Sequence, residues 1–120
     1  MPYVPKLQHW AVRCRQQREA LDRAVDALRQ FCETDPDIDA VYAFGSYASG
    51  KIGPTSDLDL LVVHSSRRDR AAMEDHLRRV LPAGVAYDLV VVTPEQYAED
   101  LAATSFGRTI LESSRLLYAA

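Results

Sequence analysis

A run of nineteen residues, GSYASGKIGPTSDLDLLVV from Gly45 to Val63, constrains this chain more than any other stretch. An apolar segment, Ala40 to Phe44, stops at Gly45-Ser46, and a loop holding Gly50, Gly53 and Pro54 follows. Two aspartates, Asp57 and Asp59, then lead directly into Leu60-Leu61-Val62-Val63. Aspartate is a poor strand former, and an ionised carboxylate is costly in an apolar sheet. Side chains alternate along a strand, so Asp57 and Asp59 share a face, with Cα atoms about 6.6 Å apart. A turn role for Asp57, hydrogen-bonding its own backbone, and a structural ion pair for Asp59 are the plain alternatives to a chemical role.

The rest of the chain reads as a small α/β domain. It has 120 residues, of which 48% are apolar and 26% charged, with a net charge of −3. That is enough to bury one core without staples, and it argues against disorder and against broad nucleic-acid affinity. Residues 1–120 are therefore expected to form one domain, a helix over about 6–32 followed by an α/β core over about 38–120. Leu7, Trp10, Cys14, Leu21, Val25, Leu28 and Phe31 recur at helical spacings, and Pro36 ends the run. Strands are expected over 40–44, 58–64 and 85–92, the last buried on both faces, with a short closing strand over 115–118. Helices are expected over 46–49 (a short turn), 67–81 (capped by Ser65-Ser66, with Ala71, Met73, Leu77, Val80 and Leu81 inward) and 94–104 (capped by Thr93), with a continuation over 106–112. Cys14 and Cys32 lie too far apart in one helix to bridge, so both read as reduced core thiols. No run is long enough to span a bilayer and the N-terminus lacks the apolar centre of a signal peptide, so a cytoplasmic protein with no membrane contact is expected.

Asp88 supplies a third carboxylate, the only charge in the run Val85 to Val92. If its strand neighbours the one after Asp57, it can face the aspartate pair; otherwise it is a satisfied buried or edge-strand aspartate. Two carboxylates at strand spacing can converge on metal ions about 3.5–4 Å apart, the arrangement used for in-line displacement at phosphorus. Oxygen-only ligands favour Mg²⁺ or Mn²⁺ over zinc. A third can ligate the same metal or take the nucleophile's proton. Gly45 lets the backbone approach a phosphate, and Ser46 offers an amide and a hydroxyl. Lys51, Arg67 and Arg68 are the cations nearest the motif in sequence, though such charges are usually solvated, as Arg78 and Arg79 are expected to be. His64 and His76 have no ligand spacing to the aspartates.

With those positions in place, the chain resembles the minimal nucleotidyltransferases (MNT) of the DNA polymerase β superfamily. Their signature is Gly-Ser, ten residues, Asp-x-Asp, and an aspartate one strand later; here Gly45, Ser46, Asp57, Asp59 and Asp88. The resemblance covers about Ala40 to Tyr118. It implies a small mixed sheet with helices on one side, and two Mg²⁺ ions (Mn²⁺ as the substitute) held by Asp57 and Asp59. Gly45, Ser46 and Ser56 would hold the nucleotide, and Asp88 would bind the catalytic metal or act as base. The implied reaction moves a nucleoside monophosphate from ATP to a hydroxyl. Stand-alone members of this size resemble antitoxins that adenylylate a tyrosine on a HEPN-domain ribonuclease toxin, which implies a HEPN partner, or a homo- or hetero-oligomer. Two other readings stay open, an occluding nucleotide sensor without catalysis and a small-molecule nucleotidyltransferase. One departure is Ser49, where many members carry arginine. The arginine-bearing first helix, with Tyr3 and Trp10 near its start, is a candidate docking surface, although such a stripe is also what a plain core helix shows.

Overall fold

In a computed structural model of the chain, residues 5–120 are described; Tyr3 lies outside them. The chain order is α1 (Pro5–Thr34), β1 (Ile38–Phe44), α2 (Gly45–Ser49), β2 (Leu58–His64), α3 (Arg70–Val80), β3 (Tyr87–Val92), α4 (Ser105–Ser113) and β4 (Arg115–Ala119). The four strands form one mixed sheet in the order β3-β2-β1-β4. β1 pairs antiparallel with β2 and with β4, while β2 and β3 run parallel around α3.

Alternation along the strands sorts their apolar residues into two layers. Val41, Ala43, Leu58, Leu60, Val62, Leu89 and Val91 join Leu21, Val25 and Leu28 of α1 and Met73 and Leu77 of α3 in the larger core. The two long helices thus cover one side, as the resemblance implies. The opposite side is not bare: Phe44, Leu61, Val63 and Val92 pack with Ile110 of α4, joined by Tyr97 and Leu101.

Several boundaries differ from the sequence expectation, each for a local reason. α3 starts at Arg70, not 67, because both serines are spent elsewhere. The Ser65 hydroxyl donates to Asp39, and Ser66 Oγ lies 2.9 Å from His64 Nδ1. Asp69 is the cap instead, its carboxylate accepting from the Ala72 amide at 2.8 Å. Ala71 and Val80 face solvent, and only Met73, Leu77 and Leu81 are buried. β3 begins at Tyr87, and both its faces are covered, but it is an edge strand with Val90 half-buried and Asp88 exposed. Thr93 does cap the next turn, through a reciprocal pair with Gln96 (Thr93 amide to Gln96 Oε1, 3.0 Å; Gln96 amide to Thr93 Oγ1, 3.2 Å). The expected α-helix over 94–104 instead winds into a π turn, Gln96–Asp100, and a 3₁₀ turn, Leu101–Ala103. Two contacts fix that path. Tyr97 stacks on Tyr42 at 5.6 Å, and Gly107 packs so tightly that a Cβ there would sit 1.9 Å from the Leu101 carbonyl oxygen.

α1 runs two residues beyond its expected end, to Thr34, just ahead of Asp35-Pro36. Its thirty residues make a rod about 45 Å long at 1.5 Å per residue, which explains the molecule's longest extent of 58 Å. Only its second half is core. Leu7 is 64% and Trp10 57% exposed, so the start of the apolar stripe is uncovered in this chain. Cys32 is buried and Cys14 half-buried, both as free thiols, so only one is a core thiol as expected. Among the described residues, no helix is long and apolar enough to cross a membrane.

Candidate active site

The sheet register builds the acidic site. Phe44 pairs with Asp59 across β1 and β2, and Asp59 pairs with Asp88 across β2 and β3. Phe44, Asp59 and Asp88 therefore form one row across the sheet, with Asp59 and Asp88 alternating onto the α4 side. Asp57 precedes β2 by one residue. The three carboxylates stand at the strand end where β1 delivers Gly45-Ser46. Asp57 and Asp88 are exposed and Asp59 is half-buried.

Asp59 is the strained member. Burial, then the charge of Asp88, then that of Asp57 push its carboxyl above the ordinary range. Among the described residues, none of the three carboxylates has an ion pair or hydrogen bond, so neither the turn role for Asp57 nor the structural ion pair for Asp59 is found. Nor do three His, Cys, Asp or Glu side chains close around a common point there to form a preassembled metal cage. Clustered carboxylates without a counter-charge repel. The donor set is all oxygen, half-exposed and electrostatically unfavourable until a cation joins it. Those properties fit a hard divalent ion such as Mg²⁺.

Gly45 is shaped for its place. Its φ is +63°, and a Cβ would lie 2.1 Å from Asp59 Oδ2, so glycine meets both the backbone demand and the space demand. Beyond it the chain turns at once into α2, whose first amides have no intrahelical acceptor and no side-chain cap from Phe44. Ser46 is half-buried; its carbonyl accepts from the Gly50 amide at 2.9 Å and from Ser49 Oγ at 3.2 Å. Ser49 thus turns back on its own helix. Ser56 is spent internally, its hydroxyl accepting from the Gly53 amide at 2.8 Å. Lys51 lies in the loop beside α2, whereas Arg67 and Arg68 follow His64 at the far end of β2, about 20 Å along the strand. His64 is buried against Ser66, and His76 sits 3.6 Å from Asp35, so neither reaches the aspartates.

A set of contacts invisible in the sequence ties α1 to this site. Gln17 Nε2 donates to the Ser56 carbonyl at 2.8 Å, one residue before Asp57. Arg18 Nη2 donates to the Gly50 carbonyl at 2.8 Å, and Tyr47 donates to Asp22 at 2.7 Å. Burial, followed by the Asp22 bond, pushes the Tyr47 phenol up to about 12. Both motif loops are thus held by consecutive turns of one helix. These pairs span 25 to 39 residues. Phe106 meets Phe44 edge-on at 6.5 Å and extends the row's apolar flank.

Comparison with known proteins identifies the domain family and the fold. The signature of the nucleotidyltransferase domain matches residues 25–117, leaving the exposed start of α1 outside. A bifunctional uridylyltransferase/uridylyl-removing enzyme of Streptomyces coelicolor is 42% identical over 60 residues, 48% of this chain; this chain spans only 7% of that enzyme's length. A candidate nucleotidyltransferase from Sulfolobus solfataricus superposes with a TM-score of 0.61 at 18% identity, covering 89% of this chain and 87% of its own. A chain from the complex of a tri-AMPylated HEPN toxin with an MNT antitoxin of Shewanella oneidensis gives 0.52 at 15% identity, covering 82% and 72%. At these identities the solved structures speak for the fold alone.

Proposed function

Because this chain belongs to the nucleotidyltransferase domain family, we propose that it is a Mg²⁺-dependent protein adenylyltransferase that transfers AMP from ATP to a hydroxyl on a partner protein. The observation that carries the reading is the row itself: Asp59 directly opposite Asp88, with Asp57 two positions earlier, and no counter-charge among the described residues. In this reading Asp57 and Asp59 hold the metal pair, with Asp88 on the catalytic ion or as base. Such ions, when bound, neutralise phosphate charge and lower the pKa of a coordinated hydroxyl.

The chain's own groups do the rest. Gly45 and Ser46 present backbone amides, and the Ser46 hydroxyl, to the triphosphate at the start of α2. Asp88, the outermost member of the row, takes the acceptor hydroxyl's proton. The hydroxyl oxygen then bonds to the α-phosphorus, the bond to the bridging oxygen breaks, and pyrophosphate leaves. Ser56 contributes through loop shape, its hydroxyl being committed to Gly53. Residues 1–120 act as one unit in the cytoplasm, where ATP is supplied.

A complex of an AMPylated HEPN toxin with an MNT antitoxin, sharing this fold, supports a HEPN-domain partner; this reading assigns a tyrosine as the acceptor. The 42% identity to a uridylyltransferase segment favours one variation, UMP in place of AMP. The test is the intact mass of the adjacent gene's product after co-expression with this chain. Added AMP seen with the wild type, and absent with the Asp57→Ala/Asp59→Ala double variant, is the expected result. Added UMP selects the variation; an unmodified partner that co-purifies with both forms selects occlusion.

A further inference from the structure

We propose that the free edge of β3 is the acceptor-docking site, taking a basic, extended segment of the partner protein as a fifth strand. This rests on the transferase reading above and adds how the acceptor is held. The Leu58 amide donates to the Ala86 carbonyl at 2.9 Å, which sets the phase of the parallel ladder. Even-numbered residues of β3 then bond to β2, and odd-numbered residues turn both backbone groups outward. Tyr87 fits that phase, its carbonyl accepting from Arg78 Nη1 at 3.5 Å. The N–H and C=O groups of Leu89 and Val91, buried residues that line the groove described next, face away from β2 with no further strand beside them among the described residues. Unpaired strand edges of this kind pair with extended peptides through main-chain hydrogen bonds.

A groove of about 390 Å³ follows this edge. Arg70 and Glu74 of α3 wall one side, and Asp100 and Phe106 the other. Asp88 stands just beyond one end, so three acidic groups face Arg70 in the groove and Arg78 at its edge. None of these five charges has an ion-pair partner among the described residues. A basic peptide is the complementary occupant.

Register links docking to chemistry. Phe44, Asp59 and Asp88 already form one row, so an added strand contributes the next side chain in it. Asp88 turns its backbone toward β2, so an antiparallel guest residue opposite it occupies a non-hydrogen-bonded pair. In such pairs the Cα atoms are about 4.5 Å apart and the side chains are close. A hydroxyl-bearing residue at that place has Asp88 as its nearest protein base.

The probe is a synthetic octapeptide alternating lysine and valine around one central tyrosine, added to the full ¹⁵N-labelled chain with Mg²⁺ and a non-hydrolysable ATP analogue. Its binding should shift the Leu89 and Val91 amide resonances and slow their hydrogen exchange at least tenfold. N-methylation of the peptide's edge-facing amides should weaken binding at least tenfold, and Asp100→Lys should reverse the preference toward a glutamate version. Binding that leaves Leu89 and Val91 unmoved, equal affinity of the N-methylated peptide, or no binding overturns the site. The transferase reading fails separately. A peptide that docks on β3 while neither it nor a co-expressed partner ever gains a nucleotide refutes transfer and leaves the docking edge standing.

Discussion

Replacing Gly45 with alanine separates geometric from stabilising roles in this site. The backbone there has φ +63°, a region that costs an L-residue about 1–2 kcal/mol. For a chain of this length, about 4 °C per kcal/mol translates that into a melting temperature lower by about 4–8 °C. The added Cβ would also lie 2.1 Å from Asp59 Oδ2, so the oxygen must retreat by about 1.3 Å to reach the 3.4 Å of ordinary contact. Misplacement by about 1 Å can cost about 10²-fold in rate. Gly84→Ala is the control: φ is +91°, and nothing lies within 4 Å of its would-be Cβ, so no carboxylate has to move. Nucleotide transfer to the partner and thermal unfolding are measured for both variants. The expected outcome is a similar loss of melting temperature and a roughly hundredfold loss of kcat confined to Gly45→Ala. Full activity in Gly45→Ala would refute the claim that this glycine makes room for a catalytic carboxylate.

Further outcomes follow from the same geometry. Because Asp59 titrates above the ordinary carboxylate range when folded, the folded chain holds a proton that the unfolded chain has released. Stability should therefore fall as pH rises through that window; in metal-free protein Asp59→Asn should remove the slope and raise the melting temperature at neutral pH, while abolishing transfer. Gln17→Ala removes a neutral hydrogen bond to the Ser56 carbonyl, and should cost about 0.5–1.5 kcal/mol by denaturant unfolding while lowering kcat with little change in KM for ATP. Burial, with Asp35 nearby, pushes the Cys32 thiol up to about 11. A thiol reagent at pH 8 should then label one cysteine, Cys14, in the folded chain and both after denaturation.

The strands were legible because their apolar runs are bounded by breakers: Phe44 ends at Gly45, and β2 falls on 58–64. The aspartates were legible because a charge at a strand mouth conflicts with local propensity, and such conflicts mark sites. What escaped depends on partners distant in sequence. Ser65 and Ser66 look like a helix cap until Asp39 and His64 claim their hydroxyls. The helix over 94–104 looks regular until Gly107 presses on the Leu101 carbonyl. The start of α1 carries the same stripe as its buried half, and periodicity alone does not say which half finds a sheet to cover. Gln17, Arg18 and Asp22 are ordinary helix-surface residues in the sequence; only folding brings them to the motif loops.

The central claim is that Asp57, Asp59 and Asp88 form a metal and nucleotide site. The most direct measurement is Mn²⁺ binding by electron paramagnetic resonance, with and without a non-hydrolysable ATP analogue, on the wild type and the Asp57→Ala/Asp59→Ala double variant. Two tightly bound ions per wild-type chain, both requiring the nucleotide and both lost in the variant, are the predicted result. Equal Mn²⁺ uptake by the two proteins would contradict the assignment.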